Sequence, residues 1–383
     1  MTWFNKFRHL VKDEAGLAAV IVALCLPALA GLTGAAVDLG LIFSARAELQ
    51  NAADAAALAA AAEMIAWDED NRAIAQPEEA LAAAHAYAQA HTRVGLVPIP
   101  GDPDGGKEPV ELPLSMRDQD FTIGHWDHAL GDFDYTGFSD DPNDLTAVRV
   151  KLRRDSMANS PVSTFFAKLV GVDDVPLAAT CTGFLGFAGS VPPGDEIEPP
   201  SDELGFRVLP IAVNKEAVVG EGGGVAEGHG LIFYDENSET AEWTTFFTWP
   251  ANDPNVKRYI TGQLISPLIK VGDVINVING NLSNNTFRAL EGEFKTPVGE
   301  GGRNNGTWEE PEPWLVILPV VDSLDGGQTQ TTVVGFLHFY ITEVNMAPDK
   351  YVAGYVTTQR VIPNSLTGGG NYGTRSTRPV MIN

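Results

Sequence analysis

Cysteine, basic side chains and long apolar runs are all scarce in this chain, and each scarcity excludes a class of protein. Two cysteines in 383 residues cannot staple a loop-rich scaffold. Nor can they pair with each other if Cys25 lies in a bilayer and Cys181 outside it, so Cys181 reads as a buried apolar residue, with an intermolecular disulfide as the alternative. Lys and Arg number 25 against 50 Asp and Glu, a formal net charge of -25. That balance argues against a nucleic-acid or anionic-lipid surface on the exported part, because phosphate binding needs clustered cations. Also missing are a Gly-x-Ser-x-Gly elbow, a P-loop and a His-Glu-x-x-His pair, so no nucleophilic, phosphate-cleaving or zinc-hydrolase role has local support. The expectation is no enzyme and no cofactor.

Against this background stands residues 15–37, which open at Ala15, close at Val37 and contain no charge; Glu14 and Asp38 bound them. As a helix the run is about 35 Å long, enough to cross a hydrocarbon core of roughly 30 Å. Lys6, Arg8 and Lys12 precede it, and cations beside a span favour the cytoplasmic side. Everything after Asp38 is then expected to face away from the cytoplasm. A cleaved secretory signal with small residues at Gly34, Ala35 and Ala36 is one rival reading, and a buried Ala-rich core helix is another. Pro27 removes a backbone donor inside the run and predicts a kink. Gly31, Gly34 and Ala35 offer small surfaces for a partner helix.

Residues 38–67 continue as a stem, rich in Ala and free of Gly and Pro after Gly40. Ile42, Ala45, Leu49, Ala52, Ala56 and Ala60 follow helical spacing, while Arg46, Gln50 and Asp54 step along another face. Such a shallow stripe suits close packing, against the stem's own domain or against sister subunits in a homo-oligomer.

Several positions together carry a resemblance. They are Glu14 and Gly16, Pro27, the Gly34-Ala35-Ala36-Val37-Asp38-Leu39-Gly40 turn into the stem, and Leu49-Gln50-Asn51 with Asp54 and Leu58. This pattern resembles the N-terminal signature of TadG-like proteins of the tight-adherence (Flp) pilus system. Weaker likeness continues through Gly124 to Asp127, Ala147 to Val150, Pro161, Phe165-Phe166-Ala167, Gly171 and Ala178 to Thr180, reaching about residue 188. The resemblance implies a bitopic bacterial envelope protein of membrane helix, stem and pilin-like head, with other pilus-assembly or envelope proteins as partners. Its signature residues Gly16, Gly34, Asp38, Gly40, Leu49, Gln50, Asn51 and Asp54 are the candidate subunit interface. Members with a von Willebrand type A domain carry Asp-x-Ser-x-Ser for a metal; Asp322-Ser323-Leu324-Asp325 lacks that spacing, and no metal site is carried over. No Gly precedes Glu14, so prepilin-peptidase processing is not carried over either.

Downstream, the pattern predicts a helix over 77–93 stopped by Gly95, and strands at 121–126, 145–153 and 175–187. It also predicts a short helix from Pro161 to before Gly171, capped by Asn159 or Ser160. Residues 189–203 turn to Pro, Gly and acid, the composition of a linker. From 204 onward short β runs at 207–213, 231–234, 243–248, 274–278, 315–321, 333–344 and 351–361 predict a β-sandwich or barrel with glycine loops at 220–224 and 368–370; only 254–269 reads as helical. The fold class is α+β: cytoplasmic segment 1–14, span 15–37, stem 38–67, α+β head 68–188, linker 189–203 and β-rich domain 204–383.

Candidate ligand groups are few. His125 and His128 point to opposite faces if they lie on one strand. Asp132, Asp134, Thr136, Gly137, Asp140 and Asn143 approach calcium-loop spacing, but Asn143 stands where the bidentate Glu belongs, so a solvated acidic hairpin loop is favoured. Alternation puts Trp243 and Phe247 on one face and Phe246 on the other, with Trp249 beyond. The chain thus reads as a single-pass, inner-membrane, extracytoplasmic structural component of tight-adherence pilus assembly. The other reading is an adhesin-like or glycan-binding surface module displayed by the same anchor.

Overall fold

The computed structural model describes residues 14–69, 72–98, 107–127, 132–135, 137–197, 207–219, 225–234, 240–278, 282–297, 306–324, 327–358 and 360–382. Lys6, Arg8, Lys12, His128, Thr136, Asp325 and the 220–224 glycines lie outside them.

One helix, Glu14–Glu63, runs for 50 residues and passes through Pro27 without interruption. At 1.5 Å per residue it is about 75 Å long. Among the described residues it is the one helix long and apolar enough to cross a membrane. Residues 18–33 are exposed throughout; from Gly34 a single stripe turns inward through Gly34, Asp38, Ala45, Leu49, Ala52, Ala53, Ala56, Ala57, Ala60 and Ala61. Steps of three, four and seven keep these on one face. Ile42, expected on the stripe, is only half-buried.

Contacts divide the chain into two compact units, Met1–Ala56 with Ala84–Phe121 and Val150–Cys181, and Ala57–Ala83 with Thr122–Arg149 and Thr182–Asn383. The first holds the end of the Pro77–Gln89 helix and the antiparallel hairpin Thr92–Pro98 with Lys107–Pro113. Asn159 is not a helix cap there. At φ +62 it turns its amide onto Ser115, donating to the Ser115 carbonyl and accepting from the Ser115 amide, both at 2.8 Å. The helix expected from Pro161 is replaced by a two-stranded ladder, Val162–Ser163 with Asp174–Val175, and a 3-10 turn Ala167–Val170 closed by Gly171 at φ +86.

In the second unit, Gly183 lies so near the stem that an added Cβ would strike the Ala57 carbonyl, which is why glycine stands there. The last strand, Val380–Ile382, pairs antiparallel with Thr182, Gly183 and Phe184. Further on, strands Ile211–Asn214, Ala241–Phe246, Val274–Ile278, Gln330–Asn345 and Trp314–Val321 pair successively, and the last pairs back onto the first, closing a five-stranded ring. This is the barrel alternative of the expected β-rich region. Trp314–Val321 is buried at every residue because both its faces meet a core: Trp314, Val316, Leu318 and Val320 on one, Leu315, Ile317 and Val321 on the other.

Helices cover the first of these faces. Asp253–Ile260 is shorter than expected, and Asn284–Lys295 was not expected at all; it seats Phe287, Leu290 and Phe294 in that core. Val191 and Ile197, in the Pro-rich stretch, are buried in the second core.

Residues 360–376 thread a polar layer through this unit. Arg375, fully buried, donates to the carbonyls of Pro142 (2.8 Å), Leu145 (2.6 Å) and Leu185 (3.1 Å), and burial pushes its pKa down to about 10. His338 is buried with Nδ1 2.9 Å from Thr374 Oγ1; burial, then the Arg360 charge, push its pKa from 6.5 to about 3.

Two outcomes are expected. Replacing Arg375 by Met removes the buried donor shared by three carbonyls, of which Pro142 keeps the Leu145 amide, while relief of guanidinium desolvation offsets part of the loss; a net destabilisation of about 2–4 kcal/mol in denaturant unfolding is expected. His338 stays neutral in the fold while the unfolded chain takes up a proton below pH 6.5, so stability falls as pH drops from 6.5 towards about 3. Thermal midpoints just below pH 6.5, above the carboxylate range, should lose much of this slope in His338→Phe.

Candidate functional site

The position where the long helix changes from exposed to buried is built from two distant pieces of sequence. Asp38, only 4% exposed, receives three consecutive amides from a loop 127 to 129 residues away. Phe165 N–H donates to Oδ1 at 2.7 Å; Phe166 and Ala167 N–H donate to Oδ2 at 3.0 and 2.7 Å. These amides open the Ala167–Val170 turn, whose own N-cap, Phe166, has no capping side chain. Asp38 therefore caps that turn from the stem. The Phe165 amide leads in holding the carboxyl below its ordinary 3.8, against a desolvation that works the other way; Ala167 and Phe166 add to it.

One helical turn earlier, Gly34 makes room for the Phe166 ring: an added Cβ would lie 2.5 Å from Phe166 Cγ. The loop base is fixed by Ser163 Oγ donating to Asp174 at 2.9 Å and by Thr164 N–H donating to the Asp173 carbonyl at 3.0 Å. Its tip leaves Phe165, Leu169 and Val170 at 73%, 85% and 81% exposure. Sequence reading missed this tip because Pro161 and Gly171 look like helix ends; the signal present was the cluster Phe165, Phe166, Leu169, Val170 and Val172 with one Lys168.

Of the signature residues, Gly34, Asp38 and Leu49 share the inward face, and Gln50 Nε2 donates to Asp54 at 2.7 Å one turn on. Asn51 is exposed and lines a groove of about 440 Å³ with Glu48, His91, Thr92, Arg93 and Glu111. Gly40 and Gly31 have nothing within 4 Å of an added Cβ. Side chains at Ala15 and Gly16 lie outside the described residues, whereas Pro27 and Val37 are exposed on the helix. The structure therefore brings Gly34 and Asp38 to one place and leaves Asn51 at another.

In the acidic loop Asp132 accepts from the Phe133 amide at 2.8 Å, Asp141 accepts from the Asn143 amide at 2.9 Å, and Ser139 Oγ donates to Asp144 at 2.8 Å. No three His, Cys, Asp or Glu side chains converge among the described residues. In the aromatic segment alternation holds as far as Phe246 and fails at Phe247. Trp243 and Phe246 are buried in opposite cores, but Phe246 has φ +50 beside a bulge, and Phe247 and Trp249 are exposed.

Residues 16–63 match the Tad family model of Flp pilus-assembly TadE/G-like proteins, and residues 44–182 match the Tad_C model of Tad-like Flp pilus-assembly proteins. Over residues 16–182 the chain is TadG-like. No curated protein and no solved structure matches it. The TadG-like stretch contains Gly34, Asp38, the Asn51 groove and the 165–172 tip, and its matches support a role in Tad pilus assembly. Its single apolar N-terminal helix fits a single-pass anchor, and the family implies association with the membrane and with other pilus or envelope components.

Asn at position 38 presents one acceptor oxygen, and its own NH2 faces amide donors. Asp38→Asn is therefore expected to speed hydrogen exchange at the amides of Phe165, Phe166 and Ala167 several-fold, with the Trp314–Val321 strand unchanged. Because the carboxyl pKa is lowered in the fold, its cap is at full strength above 3.8 and is lost as pH falls through the lowered value; the same amides should lose protection there in the natural chain.

Proposed function

We propose that the chain is a single-span structural component of tight-adherence pilus assembly, anchored by residues 15–37 in the bacterial inner membrane with its N-terminus cytoplasmic. Everything beyond Asp38 is extracytoplasmic in this reading. It acts by placement and protein association, without a catalytic centre. The observation that carries the reading is the division of one helix: exposed apolar residues from 18 to 33, then an inward stripe of Ala and Leu49. A helix with that division is matched to lipid in its first half and to protein in its second. Lys6, Arg8 and Lys12 support the orientation.

Gly16, Gly34, Asp38, Gly40, Leu49, Gln50, Asn51 and Asp54 are the proposed interface positions, with the exposed Asn51 and its groove as the part open to another subunit or a second copy of the chain. We read 189–203 as the join between the TadG-like part and the β-rich part. Exposed Phe247 and Trp249 favour one second reading, an adhesin-like β region; glycan binding that disappears in Trp249→Ala is its signature.

The test is the fate of a C-terminally tagged chain after shearing surface fibres and separating membrane from soluble fractions. A species near 40.9 kDa in the membrane fraction is expected. The same species in sheared fibres makes it a minor fibre subunit. A soluble product beginning near Ala35 sinks the anchor.

A further inference from the structure

We infer that the 165–172 tip is a second membrane-contacting element, inserted into the outer edge of the bilayer beside the helix; this rests on the proposed span at 15–37. Four observations carry it. First is level: the uncharged run is about 35 Å long against a core of roughly 30 Å, so the hydrocarbon boundary falls in the turn before Asp38. The tip is tied to that turn, by its amides to Asp38 and by the Phe166 ring against Gly34.

Second is composition. Phe165, Leu169 and Val170 are the most exposed apolar side chains, with Phe166 and Val172 exposed to a lesser degree; Lys168 stands among them, and the acids Asp173 and Asp174 are at the loop's base. A long Lys side chain reaches the headgroups while its neighbours enter the acyl region. The acidic net charge of the chain is no obstacle, since this contact is apolar and needs no basic patch.

Third is the backbone. In lipid every unpaired amide is costly, and here six of the eight amides of 165–172 have internal acceptors. Phe165, Phe166 and Ala167 donate to Asp38, Leu169 to the Phe166 carbonyl at 3.0 Å, Gly171 to Lys168 at 3.1 Å and Val172 to Ala167 at 3.0 Å. Fourth is continuity: the apolar surface of the tip adjoins the exposed apolar surface of residues 18–33 on the same helix. A lipid surface is the occupant that meets both without a change of solvent.

The test uses the full chain reconstituted into vesicles of phosphatidylethanolamine and phosphatidylglycerol, in a Cys25→Ala, Cys181→Ala background. An environment-sensitive fluorophore is placed at Leu169→Cys, at Leu29→Cys in the span, or at Trp249→Cys as an aqueous control. At position 169 a spin label high on the acyl chain should quench at least about twofold more than one near the chain end, as a depth of about 5–10 Å below the headgroups requires. Iodide quenching there should be lost and that at position 249 retained. Quenching at 29 with iodide-accessible fluorescence at 169 overturns the inference and leaves the span standing. Protection at 169 from both lipid and iodide quenchers also overturns it, in favour of a protein partner. No lipid quenching at 29 overturns the span itself. Should the cysteine-free background fail to fold, a benzophenone photo-crosslinker at Phe165 in the otherwise natural chain decides between lipid adducts, which support the inference, and protein adducts, which overturn it.

Discussion

One helix is apolar and exposed along its first part and packed inward along its second, and the rest of this structure follows from how it changes from one to the other. A carboxylate at the end of an apolar run is costly unless its oxygens are satisfied. Asp38 meets that demand with three backbone amides, which belong to a loop that the chain reaches only 127 residues later. The loop in turn needs space one turn up the helix, and Gly34 supplies it. Gly34 and Asp38 are therefore two parts of one fitting. Beyond it the inward face is built largely of small side chains, with Ala52, Ala56 and Ala60 fully buried and Gly183 lying against Ala57 and Ala61.

What was legible in the sequence was whatever repeats with a short period. The uncharged run, the stripe through Ala45, Leu49 and Ala52, and the alternating β segments each announce themselves within a dozen residues. What was not legible depended on a partner elsewhere. Asp38 could be read as bounding the uncharged run but not as a cap, because its amide donors lie at 165 to 167. Asn159 looked like a helix cap, and its side chain had been drawn to Ser115 instead. The helix Asn284–Lys295 went unread, although Phe287, Leu290 and Phe294 recur at helical spacing and bury there. Phe247 left the face of Trp243 because Phe246 before it sits at φ +50 beside a bulge, which no local pattern records.

The β-rich region bears on the same question of what the chain is for. If it were cargo displayed on an anchor, its buried polar groups would be expected to find partners within it. Arg375 does otherwise: two of its three acceptors, the carbonyls of Pro142 and Leu145, belong to the TadG-like stretch. Those carbonyls flank the one-turn helix Pro142–Asp144, where a sheet supplies no amide to pair with Leu145 O, so a buried cation takes the place of a strand. Val380–Ile382 acts similarly by covering Thr182, Gly183 and Phe184 with a further strand, and an unpaired sheet edge there would otherwise invite pairing with another chain. Gly183 on that edge also meets the stem at Ala57. Val380–Ile382 thus completes the sheet edge at which Gly183 meets Ala57. That dependence favours a single assembly component over an anchor carrying a separable binding module, since a module that closes its carrier's sheet is not independent of it.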